Sequence, residues 1–166
     1  LALSLGKVAF ANQELSTAQK ILKFAWHSLK REDALTAYVN TLLRVHEKHP
    51  ESNQEELSFL LEAIQTQGLH TEDAFQHAIL QTDLLAANGH NEEAYAGYLK
   101  LLDDPRAKMP ASYHHLHFQI GKTAEKIGMI DIALASLQEA MLVNPDDLET
   151  RHVLSKTYLE ANLNDE

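Results

Sequence analysis

Three short stretches of the chain bring together side chains that could do chemistry. His46-Glu47-Lys48-His49 places a carboxylate between two imidazoles. A metalloprotease helix uses those residue types, but with the histidines at i and i+4, one turn apart, and the glutamate as general base. Here the spacing is i and i+3 and Pro50 ends the helix, so no catalytic metal is expected. His114, His115 and His117 form a second cluster. Successive residues on a helix point about 100° apart, so only His114 and His117 share a face, and the cluster reads as surface and packing seam. Gly121-Lys122-Thr123 has the residue types of a phosphate loop, yet lacks the earlier glycine and falls inside a helical pattern. A Gly-x-Ser-x-Gly elbow is absent, and so is cysteine. Disulfides, thiolate zinc sites and cysteine nucleophiles are thereby excluded. The expectation is no catalytic residue, no metal and no cofactor.

These residues are carried by a helical chain. In 166 residues, 45% hydrophobic and 23% charged, the composition is that of an ordinary folded domain. With 24 acidic against 14 basic residues the net charge is -10, a field that repels phosphate backbones and makes nucleic acid a poor partner. Apolar runs are only a few residues long, well short of the roughly 18 that cross a bilayer, so no membrane partner is expected. Gly and Pro are sparse, at 6 and 4 copies, and no stretch alternates apolar with polar residues as a strand would. Apolar residues recur at helical spacing, as in Ile120, Gly121, Ala124 and Ala133, Leu137, Ala140. Breaks at Asn12, residues 49–53, Gly68, Asn88-Gly89, residues 104–110, Gly128, Asn144-Pro145 and Asn162 cut the chain into about nine helices. Gly89, Gly128 and Asn162 are expected just past helix ends, where a left-handed residue is wanted.

Self-similarity at fixed shifts gives the organisation. A shift of 115 carries Leu5, Gly6, Ala9, Ala18, Leu22 and Ala25 onto Ile120, Gly121, Ala124, Ala133, Leu137 and Ala140. A shift of 39 carries Gly89 and Ala94 onto Gly128 and Ala133, and one of 34 carries Ile120, Ala124 and Gly128 onto Leu154, Tyr158 and Asn162. The unit is therefore 34 residues, with insertions placed near 49–56 or 66–73 and at 104–111.

Residues 114–147 resemble a tetratricopeptide repeat. Ile120-Gly121, Ala124, Gly128, Ala133, Leu137, Ala140 and Pro145 fall at that family's spacing. His117 fills the slot usually held by Trp. The resemblance extends to repeats at about 1–32, 33–74, 75–113 and, in part, 148–166, of which 33–74 fits most loosely. It implies an all-α, right-handed α-α superhelix of about four and a half helix-turn-helix repeats, forming one domain over 1–166. Leu1 already reads as helical and the last residues stop within the pattern, so the chain reads as a piece of a longer protein, with the compartment left open. Some members of the family clamp C-terminal carboxylates with Lys and Asn. The matching positions here carry Lys7 and Lys122 but Leu3, Ile79, Asp83 and Phe118, without Asn.

The implied function is a protein–protein interaction scaffold, not an enzyme. The alternatives are a regulatory or substrate-recruiting segment of a larger enzyme, and a self-assembly element. In the 114–127 helix, His117, Ile120, Gly121 and Ala124 cover one face, leaving His115, Phe118, Gln119 and Lys122 on the other. Transfer by register adds Tyr38 and Thr41, then Ile79, Leu80 and Asp83, then Val153 and Lys156. These eleven residues are expected to line a peptide-binding groove, with Lys122 and Lys156 suggesting an acidic group on the ligand. Packing against neighbouring first helices is the competing reading of the same apolar side chains. Apolar residues at the two ends, Leu3, Val8 and Phe10 and then Leu154, Tyr158 and Leu159, predict weak self-association.

Overall fold

A computed structural model describes residues 1–29, 32–67 and 73–164, and within them nine α-helices and no strand. Two expectations, the break at Gly68 and the alternative insertion at 66–73, fall wholly or mostly outside those residues. The helices divide into two compact units, 1–88 and 89–166. The boundary lies inside the third expected repeat.

The first unit holds α1 (Ala2–Ala11), α2 (Leu15–Leu29), α3 (Glu32–Lys48), α4 (Gln54–Gln67) and α5 (Ala74–Ala87). The α1–α2 turn closes with Gln13 at φ 62. Glycine takes a positive φ more cheaply than other residues, yet the turn is closed here by a glutamine. Leu22, Leu35, Val39, Leu42, Leu57, Leu60, Leu80 and Leu84 form the core, each with at most 5% of its surface exposed. Residues 49–53 are a built turn. Asn53, itself buried, donates from Nδ2 to the Leu42 carbonyl at 2.9 Å and sets Oδ1 3.3 Å from His46 Nδ1. His46 therefore serves the turn, while Glu47 accepts from Arg44 at 3.2 Å.

The second unit holds α6 (Asn91–Leu101), a 3₁₀ turn (Pro105–Lys108), α7 (Pro110–Lys126), α8 (Ile130–Val143) and α9 (Leu148–Asn164). Pro110 stands in the first turn of α7, where its missing N–H costs nothing, so the helix starts earlier than the repeat pattern alone suggests. Asp104 caps the 3₁₀ turn through the Arg106 N–H and pairs with the Arg106 guanidinium, which together hold its carboxyl down at about 2. Gly89 and Gly128 take φ 83 and φ 80 after α5 and α7. Asn162 does not end a helix, since α9 continues to Asn164. Its side chain competes only weakly with a helix already committed by the residues before it.

The 115-residue internal match is a match of packing. Ala18 and Ala133, Leu22 and Leu137, and Ala25 and Ala140 are all fully buried, the small residues marking close helix approach in each hairpin.

Candidate binding surface

In the second unit, α7 pairs with α8 in a hairpin, and α9 packs against both. His115, Gln119 and Lys122 stand one turn apart along α7 and are half-buried. On α9, Glu149 is half-buried and His152 and Lys156 are exposed. Glu149 adds a carboxylate that sequence reasoning misses, although its spacing of seven from Lys156 puts both on one helix face.

Phe118 is not an open anchor. It is 6% exposed and packs with Leu137 and Ala140 of α8 and with Val153 and Leu154 of α9. Its ring stacks on His114, with centroids 6.3 Å apart and planes 9° apart, and Lys122 Nζ lies 4.9 Å from the ring centroid. Phe118 thus ties α7 to α8 and α9 and lies under Lys122. His114 in turn approaches Asp147 and Thr150, at 3.5 and 3.4 Å. Burial pushes the Asp147 carboxyl up, but hydrogen bonds from the Thr150 hydroxyl and N–H and the nearby His114 outweigh it, so it titrates below its ordinary range.

The cations expected to meet an acidic ligand already have acids beside them. Lys156 Nζ sits 2.7 Å from Glu125 and 3.4 Å from Glu160, which raises its pKa, and Lys122 Nζ lies 3.9 Å from Glu149. An incoming carboxylate would have to displace them. Behind the row, Tyr113 donates to Glu139 at 2.8 Å and its ring meets His117 at 4.2 Å. Burial lowers the His117 pKa and Glu139 only partly restores it. That histidine belongs to the hairpin seam.

In the first unit the expected groove residues lie inside the fold. Tyr38 and Thr41 have no exposed surface, and Ile79, Leu80 and Asp83 are exposed by 8%, 5% and 8%. The Tyr38 hydroxyl donates to Glu56 and its ring stacks on Trp26 at 5.9 Å. Thr41 donates to the Ala37 carbonyl at 2.8 Å. The groove assignment is corrected at these positions: α5 packs over α3, so the stripe transferred by register faces the next helix instead of solvent. A helix wheel shows which residues share a face, but not whether that face meets solvent or a further helix.

Among the described residues no three His, Asp or Glu side chains converge as a metal site, and no helix is long and apolar enough to cross a membrane.

No protein-family model matches the chain, and no curated protein matches it. Among solved structures, a thermophilic TPR (tetratricopeptide repeat) protein of Thermus thermophilus is similar, with a TM-score of 0.66. Identity is 22%, covering 96% of this chain and 81% of that one. This likeness shows the fold, an all-α array of helical hairpin repeats.

Proposed function

We propose that the chain is a non-catalytic protein-interaction scaffold that takes an extended segment of a partner protein along α7 and α9. The observation that carries this reading is the half-buried row His115, Gln119 and Lys122 on α7, with Lys122 Nζ over the ring of the buried Phe118. Polar groups held by a rigid packed layer can accept a peptide without ordering themselves first, which lowers the entropic cost of binding. Because Lys122 and Lys156 are matched by Glu149 and Glu125, the surface favours hydrogen-bonding and stacking groups over a strongly charged ligand. Peptides selected from a displayed library against the chain test this, with backbone amide shifts as readout. The expected result is shifts concentrated on α7 and α9, and an affinity loss of about 1 kcal/mol or more for His115→Ala with Gln119→Ala. Shifts confined to other helices would remove the assignment.

A second reading, weak self-association, is favoured by unequal burial of equivalent residues. Leu5 and Val8 on α1 are 51% and 57% exposed, whereas Ile120, the equivalent of Leu5, is 2% exposed and Thr123, the equivalent of Val8, is 1% exposed. On α9, Tyr158 and Leu159 are 42% and 65% exposed. Leu3 and Phe10, expected on the same apolar end, instead pack against the first unit's core, and Leu154 packs with Phe118. Sedimentation at rising concentration is expected to show a growing average mass, and a strict monomer throughout would dismiss this reading.

A further inference from the structure

Phe24 on α2 and Phe59 on α4 are 65% and 59% exposed. The repeat does not require an aromatic there, since the position equivalent to Phe24 in the second unit is Glu139. Phe59 borders an open depression of about 660 Å³ whose walls include Lys23, Glu51, Asn53, Glu55 and Glu56. The walls are held in place. Lys23 reaches Glu56 at 2.5 Å, Tyr38 donates to the same carboxylate from the core, and Asn53 ties the turn to the Leu42 carbonyl.

Charge in this depression is unbalanced. Lys23 is engaged by Glu56, while Glu51 and Glu55 have no ion pair among the described residues. The α4 helix carries Glu55, Glu56 and Glu62 and no Lys, Arg or His. Glu55 and Phe59 are four residues apart, so they are neighbours on one face of α4. A carboxylate beside an exposed phenyl face suits a guanidinium, which is planar, stacks on the ring and offers a fork of N–H donors to the acid. An ammonium, more strongly hydrated and without a flat face, suits it less. We infer that this depression is a second docking site, separate from the α7–α9 surface, that takes an arginine side chain of a partner protein over Phe59 with Glu55 and Glu51 as its acceptors.

The test uses the full chain and three acetylated tetrapeptide amides of alternating leucine with arginine, lysine or glutamate, read by backbone amide shifts. The arginine peptide is expected to move the amides of residues 51–59 in a saturable way, to bind at least threefold more tightly than the lysine peptide, and to leave α7 and α9 unmoved. Phe59→Ala and Glu55→Gln are each expected to weaken it at least threefold. Both residues are exposed, and unchanged circular dichroism checks that each variant is folded. His115→Ala with Gln119→Ala is expected to change nothing here, which separates this site from the proposed function. Equal binding of arginine and lysine peptides, shifts spread over all acidic surfaces, or full binding by folded Phe59→Ala would overturn the inference.

Discussion

A Cβ placed on Gly121 would stand 2.5 Å from Leu137 Cγ, and one on Gly6 would stand 2.5 Å from Leu22 Cγ. The two pairs lie 115 residues apart and make the same contact, in which a helix backbone lies directly on a leucine of its hairpin partner. Gly121→Ala gains up to about 1 kcal/mol of helix propensity. Overpacking a filled core costs about 1–3 kcal/mol, and the Leu137 branch point cannot swing aside as a side-chain tip could. The expected net loss is about 1 kcal/mol, seen as a lower urea midpoint for the second unit. A rise in stability would show that the hairpin has slack the structure does not contain.

Ala133 and Ala18 occupy the facing positions and are fully buried. Ala133→Leu and Ala18→Leu are each expected to destabilise by about 1–3 kcal/mol, because neither hairpin can open without losing its other contacts. Melting curves that match the parent protein would disprove the repeat register.

Phe118→Ala is expected to act on folding first. Truncating a buried phenylalanine costs about 3–5 kcal/mol, and here it also loosens Val153 and Leu154 of α9. Amide protection in α9 should therefore drop along with stability. Unchanged protection in α9 would mean that the ring does not hold that helix.

Glu56 makes the first unit sensitive to acid. Burial pushes its carboxyl up, but hydrogen bonds from Lys23, Tyr38 and Gln19 prevail and hold it below its ordinary range. A depressed folded pKa means that its stabilising contribution is present above the unfolded value of about 4.3 and is lost as pH falls through the folded one. Glu56→Gln should cost about 1–2 kcal/mol at pH 7. It should also flatten the decline of first-unit stability below about pH 5 relative to the parent. Parallel pH profiles for the two proteins would show that the network does not bear on folding.

The amino-acid sequence by itself determined the helices, the hairpin turns and the small-against-large packing code. These are local properties: a 3.6-residue period, glycine at a left-handed turn, and Ala or Gly where two backbones meet. Gly6, Ala18 and Leu22 carry the same signal as Gly121, Ala133 and Leu137 because each contact forms inside one hairpin, between helices adjacent in the chain. The burial of Tyr38, Thr41 and Leu80, the packing of Phe118 against α8 and α9, and the pairing of Lys122 with Glu149 and of Lys156 with Glu125 were decided only by tertiary structure. Each depends on which other helix lies over a given face, and one helix period cannot distinguish a face turned to solvent from a face turned to the next helix. Phe24 and Phe59 show the converse, since both read as ordinary apolar positions of their helices. Only the packing of the surrounding helices left them on the surface, Phe59 at the edge of the depression that Glu51, Glu55 and Glu56 also line.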